Sequence, residues 1–214
     1  MRLALLLATL LAPAAAAAQQ LEVSGNVAVL SELMDRGLSL SQGDPSGSGS
    51  LYLDHDSGLY LGGFLARTDD PAGNDIEVEG VLGYTRTIGA YELDLSAAFD
   101  SFHGEDSFGY PEIAAKLSRD LGLVYAAAGV SYAPDGRWFV RNEDTVYTYL
   151  EAEVPVPRLP WLAFTSHVGY ETITDATDKA DWGLGLAAGY KSLELSVGYE
   201  DSDSGADIGE ARVV

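Results

Sequence analysis

Ile76-Glu77-Val78-Glu79-Gly80-Val81-Leu82-Gly83-Tyr84-Thr85 alternates apolar and polar side chains almost residue by residue. After a short Thr87–Gly89 turn, Tyr91-Glu92-Leu93-Asp94-Leu95-Ser96-Ala97-Ala98-Phe99-Asp100 does the same. A period of two marks an extended strand whose two faces meet different surroundings. In the first strand Ile76, Val78, Gly80, Leu82 and Tyr84 share a face, opposite Glu77, Glu79, Val81, Gly83 and Thr85. Two such strands around a Gly-containing turn read as a β-hairpin.

Working outward, the scheme recurs along the chain. Leu21, Val23, Gly25, Val27 and Val29 lie opposite Glu22, Ser24, Asn26 and Ala28. Val146, Thr148, Leu150, Ala152 and Val154 oppose Tyr147, Tyr149, Glu151 and Glu153, and Leu193, Leu195, Val197 and Tyr199 oppose Glu194, Ser196, Gly198 and Glu200. About twelve strands are expected, at 21–33, 49–55, 59–67, 76–86, 90–100, 110–118, 122–132, 144–154, 161–171, 181–190, 193–200 and 208–214. Many approach the ~9–11 residues with which a tilted strand crosses a bilayer.

The connections alternate in length. Those at 34–48, 68–75, 101–109, 133–143, 172–180 and 201–207 are long and mostly polar, whereas Asp56–Gly58, Thr87–Gly89, Arg119–Leu121, Pro155–Pro160 and Lys191–Ser192 are short. Short periplasmic turns and longer external loops characterise outer-membrane barrels, and a chain starting in the periplasm makes an external loop first. Tyr84, Tyr91 and Tyr190 fall beside the short turns, and Phe99, Tyr170, Trp182 and Tyr199 towards the long loops, all on the apolar face. Two such bands match the interfacial girdles of membrane barrels. The fold expected is therefore all-β, a transmembrane antiparallel up-and-down β-barrel. A soluble sandwich or lipocalin-like barrel with the apolar face inward is the competing reading. The third strand favours neither, since Leu59, Leu61 and Leu65 oppose Tyr60, Gly62, Phe64 and Ala66.

Arg2, the apolar run Leu3–Ala12 and the small residues Ala14–Ala18 form the three-part pattern of a secretory signal peptide. Cleavage after Ala18 divides the chain into a signal peptide, 1–18, and a barrel, 19–214. With 33 acidic against 12 basic residues the net charge is −21, which repels a nucleic-acid backbone. There is no cysteine, so thiol catalysis and Cys-ligated metals are excluded.

The stretch Arg36-Gly37-Leu38-Ser39-Leu40-Ser41-Gln42-Gly43-Asp44-Pro45, followed by His55-Asp56-Ser57-Gly58-Leu59-Tyr60-Leu61-Gly62, resembles the start of the TorF family of porin-like proteins. Its members carry an R-G-x-S-x-S-x-G-x-P loop and then an H-D-S-G-x-Y-x-G hairpin. The resemblance covers roughly residues 24–65 and implies an outer-membrane β-barrel of poorly defined transport role. The chain departs from the pattern at Leu33-Met34-Asp35, where an aromatic is expected, at Phe64 near an expected Trp, and at Val213-Val214, where such barrels usually end on an aromatic.

The polar faces place Glu77, Glu79, Glu92, Asp94, Glu112, Lys116, Glu151, Glu153 and Glu194 towards a lumen. Acidic linings favour cations in channels, and at ~0.15 M salt the Debye length of ~8 Å is comparable with a narrow lumen's radius. Arg36, Arg137 and Arg141 are the main external-loop cations, one of which could fold back to face those acids and form a constriction. The function expected is passive diffusion of small hydrophilic solutes, cations preferred, through the outer membrane of a Gram-negative bacterium. A closed barrel serving envelope structure is the alternative. Outer-membrane lipid, lipopolysaccharide and the barrel-assembly machinery are the expected partners. No cofactor or metal is expected, since the loop acids lack EF-hand spacing. Enzymatic activity is not expected either: His55, His103 and His167 are the only histidines, and neither G-x-S-x-G nor H-E-x-x-H occurs.

Overall fold

The computed structural model describes residues 21–204 together with the strand pair Arg212–Val213. The expected signal peptide, 1–18, lies outside the described residues. The chain forms β1 (Leu21–Leu30), β2 (Met34–Asp35), β3 (Leu38–Ser39), β4 (Ser46–His55), β5 (Leu59–Arg67), β6 (Asn74–Ile88), β7 (Tyr91–Gly104) and β8 (Phe108–Asp120). There follow β9 (Tyr125–Ala133), β10 (Gly136–Arg137), β11 (Val140–Arg141), β12 (Thr145–Val156), β13 (Leu159–Ile173), β14 (Lys179–Tyr190), β15 (Leu193–Ser202) and β16 (Arg212–Val213).

Twelve of these make one antiparallel sheet in sequential order, β1-β4-β5-β6-β7-β8-β9-β12-β13-β14-β15-β16, with no crossover. The two-residue pairs β2–β3 and β10–β11 are separate hairpins within the first and fourth long loops. The sheet wraps around the β2–β3 hairpin. Arg36 at its tip bonds Glu112 on β8 and Glu171 on β13, while the Gly37 carbonyl accepts a bond from Ser202 on β15. One turn can meet such distant strands only inside a curled sheet, the up-and-down barrel read from the alternation.

The short turns rest on left-handed residues. Gly58, Gly89 and Gly122 have positive φ, as do Arg158 and Lys191. The turn before β13 narrows to Pro157 and Arg158, and the register slips between Pro155 and Val156, where proline lacks the ladder donor. At the other end, β7 and β8 continue through most of the expected 101–109 loop, leaving only 105–107. Phe102, Phe108 and Tyr110 explain the extension: they stack at 5.0–6.5 Å and pack on the hairpin, so pairing buries them.

The apolar face points out. Val27 and Val29 are about nine-tenths exposed, and Leu82, Leu95, Phe99, Ile113, Leu150, Leu184 and Leu195 are exposed as well. The dry core is instead a small cluster at the long-loop end, formed by Leu33, Leu38, Leu40, Ala66, Phe102, Tyr110, Ala133 and Trp138. At the short-turn end Arg119 lies over Tyr91 and Lys191 over Tyr190. At the long-loop end Tyr132, Tyr170 and Tyr199 donate to Asp144, Asp178 and Asp201.

The ambiguity of the third strand resolves through its neighbours. Tyr60 and Gly62 face inward: Tyr60 donates to Asp94 at 3.1 Å, and the Tyr52 ring covers Gly62 so closely that a Cβ there would meet it at 2.3 Å. Tyr147 lies over Gly169 and Tyr149 over Gly129 in the same way. The inner wall is thus lined partly by rings lying over bare backbone.

Candidate functional site: a charged constriction and the chamber beside it

The site begins with a turn. Arg36 and Gly37 both have positive φ, 48° and 73°, the conformation of a two-residue hairpin turn with the hand that matches strand twist. A non-glycine residue in this region is strained, and such strain persists where surrounding contacts over-determine it. Here they do. Arg36 Nη2 lies 2.8 Å from both Glu112 oxygens and 3.2 Å from Ser131 Oγ, and Nη1 lies 3.4 Å from Glu171. Its guanidinium sits 4.2 Å above the Tyr147 ring, and Lys179 donates to its backbone carbonyl.

The second hairpin meets the first. Arg137 pairs with Asp35 and lies 2.9 Å from Glu171, while Trp138 Nε1 donates to Asp35 at 2.9 Å. Burial among these residues works against ionising Asp35, yet Arg137, then Arg36, Trp138 and Lys179 hold its carboxyl down at about 2. Asp181 completes the cluster, accepting from Tyr147 at 3.0 Å and lying 3.4 Å from both Lys179 and His167. Glu171, Lys179 and Asp181 are buried, and each buried charge has a partner, as desolvation demands. Three cations, Arg36, Arg137 and Lys179, are therefore balanced locally by Asp35, Glu112, Glu171 and Asp181.

Beside this constriction opens a cavity of about 340 Å³, bounded by Arg36, Glu112, Tyr147, Tyr149, Glu151, His167 and Glu200 among others. A second, of about 290 Å³, shares Glu151, His167 and Glu200 and extends to Glu153, Gly185 and Gly198. Cross-strand register explains the shared wall: Glu151 faces His167, which faces Gly183, which faces Glu200.

The eight acids and one lysine expected on the inner face do not form one ring. Glu77 and Glu79 stand within electrostatic reach of Asp35 in the loop cluster, Glu112 binds Arg36, Asp94 is the cross-strand partner of Lys116, Glu151 borders both cavities and Glu153 the second, and Glu92 and Glu194 lie exposed near the short turns. Arg36 and Arg137 meet in the cluster through their shared partners Asp35 and Glu171, whereas Arg141 pairs with Asp106 at the rim at 2.7 Å. Asp35, Glu171, Lys179, Asp181 and Glu200 are absent from the residues singled out by sequence. The alternation running on through Gly169, Glu171 and then Lys179, Asp181, Gly183 is the signal that carried Glu171, Lys179 and Asp181; Glu200 already stood on the polar face of its strand, and Asp35 lies in a loop with no such signal.

A family model described as "Bacterial protein of unknown function (Gcw_chp)" matches residues 14–213. The chain belongs to the Gcw_chp family. No curated protein matches it significantly. Among solved structures, this Gcw_chp chain is similar to the crystal structure of Acinetobacter baumannii OccAB1, with 11% identity, a TM-score of 0.51, and coverage of 91% of this chain and 63% of that one. Pseudomonas aeruginosa OccK3 (OpdO) gives 16% identity, a TM-score of 0.42 and coverage of 89% and 64%; a refined porin structure gives 11%, 0.44, and 78% and 60%. The chain thus spans less than two thirds of the length of each of these. The OccAB1 likeness shows a shared β-barrel fold.

Proposed function

We propose that this member of the Gcw_chp family is a narrow porin-like channel of the outer membrane that passes small hydrophilic solutes by diffusion and prefers cations. Cation preference rests on one observation: the constriction's three cations are bound by four carboxylates, while Glu151 and Glu200 face the adjoining chamber without a hydrogen-bonded or ion-paired partner among the described residues. The cluster's own positive charge is spent on its carboxylates, and Glu151 and Glu200 present negative charge to the chamber. Such a lining concentrates counter-ions and repels anions. The TorF-like loop motif supports the outer-membrane setting, because Arg36 and Gly37 of that motif form the turn that folds into the barrel. The outward Leu and Val surface suits lipid.

Purified protein in a planar bilayer under a KCl gradient tests both parts. Stepwise current with a reversal potential displaced towards that of K⁺ is expected. A reversal potential displaced towards Cl⁻ overturns the preference. Stable insertion without current overturns the channel, in favour of a closed barrel with a structural role.

A further inference from the structure

We infer that the wall formed by Tyr147, Tyr149, Glu151, His167 and Glu200 is a binding site for organic cations, namely ammonium or guanidinium groups carried on a short apolar stem. The inference rests on the channel reading and names the solute class that the chamber selects.

Three features of the wall converge. The first is charge. Glu151 on β12 and Glu200 on β15 lie on one cross-strand row, separated by His167 and Gly183. At ~4.8 Å per strand their backbones stand about 14 Å apart, and both carboxylates border both cavities. The second is aromatic surface. Tyr147 and Tyr149 stack at 5.4 Å with 22° between their planes. Arg36 already occupies Tyr147 at 4.2 Å, showing that the wall accepts a guanidinium, whereas no cation lies over Tyr149 among the described residues. Tyrosine faces attract cations through the ring quadrupole, more strongly where water is excluded. The third is space. Gly183, Gly185 and Gly198 face inward beside the carboxylates; His167 lies over Gly183 and Thr165 over Gly185, while Gly198 is left open, and the second cavity extends into the recess beside it.

These features favour organic over inorganic cations. A hydrated metal ion gains nothing from the rings or from a glycine-floored recess, and among the described residues no group of three or more acidic or histidine ligands is arranged to hold one. An alkyl stem can lie along Tyr149 and the recess while its charged end meets Glu151 or Glu200. A linear diamine can meet both.

The test uses 1,4-diaminobutane, with tetramethylammonium and sodium as comparison ions at matched ionic strength. Binding heat is measured on detergent-solubilised protein, and block of current is measured in a bilayer. Diaminobutane is expected to release heat and to interrupt the sodium current, and Glu151→Gln with Glu200→Gln is expected to weaken both by about tenfold or more, ~1.4 kcal/mol. Gly198→Leu keeps every charge and fills the recess; a Cβ there meets nothing closer than 3.5 Å, so the strand tolerates it. It is expected to weaken diaminobutane and spare sodium. Current without any diaminobutane heat or block overturns the site and leaves the channel standing, as does binding that survives the double substitution. Heat without current overturns the channel and keeps the site. Equal binding heat from sodium at matched ionic strength reduces the effect to screening and overturns the site.

Discussion

Arg36 Nη2 lies 2.8 Å from both oxygens of Glu112, joining the tip of the first long loop to a strand 76 residues further along the chain. Arg36→Ala removes one positive charge and the anchor of that tip. At ~5 Å in water a unit charge is worth about 0.8 kcal/mol, or about a fourfold change in local cation concentration. Bilayer recordings should show larger unit current and stronger cation selectivity than the parent protein. Unchanged selectivity would remove Arg36 from the conduction path.

Glu171 is wholly buried between Arg137, Lys179 and Arg36. Glu171→Leu leaves buried cations short of a counter-charge, a defect that typically costs about 3–5 kcal/mol. Thermal unfolding in detergent should show the largest loss of any single substitution in the cluster. Glu92→Leu, at an exposed inner position near the short turns, should shift the transition little.

Gly37 serves as a conformational test. A Cβ there would lie 2.5 Å from the Asp201 carbonyl, in a backbone with φ of +73°. Gly89 has φ of +65° with nothing within 4 Å. Gly89→Ala should therefore cost only the left-handed penalty, about 1–2 kcal/mol, whereas Gly37→Ala should cost more and also displace the turn. Equal melting temperatures for the two variants would contradict the close seating of the hairpin on β15.

Asp35 sets an acid limit on the clasp between the two hairpins. Its carboxyl is held at about 2, below the ordinary aspartate value of 3.8. A depressed folded-state value means that the stabilisation is full above about pH 4 and is lost as pH falls towards 2. Trp138 reports on it directly, since its Nε1 bonds Asp35. With Trp161 and Trp182 replaced by Phe, the emission of Trp138 should stay constant from neutral pH down to about 4 and shift to the red below that. The same change should appear at neutral pH in Asp35→Asn.

Leu95 and Ser96 are neighbours on opposite faces of β7, and Leu95 is exposed on the outer wall. Leu95→Arg should cost about 2–4 kcal/mol in lipid, the usual effect of an outward charge near the bilayer midplane. Ser96→Arg, turned towards the lumen near Asp94, should fold almost normally. Folding yield into vesicles measures both. A reversal of the pair would invert the orientation of the sheet.

Strand number and facing were legible because a period of two survives without any tertiary knowledge. Eleven of the twelve expected strands lie where alternation put them, and part of the twelfth, 208–214, falls outside the described residues. Strand ends were less visible. Phe102, Phe108 and Lys179 fall in the stretches read as loops, and packing against the inserted hairpins makes those positions extended. The inward fold of Arg36 could be suggested from charge. Its partner Glu171 could not, since ion pairs across a barrel leave no spacing in the sequence. The rings over Gly129 and Gly169 were equally hidden: the tyrosines were visible on the polar face, but their resting places lie on other strands.

The β2–β3 hairpin precedes in the chain all of the anchors it draws from other strands, Glu112, Ser131, Glu171, Lys179 and Ser202. Its seat is therefore delivered piecemeal, the final part arriving with β15. During assembly the hairpin must wait, unclasped, until the wall has come almost full circle. A loop made before its anchors locks only after them.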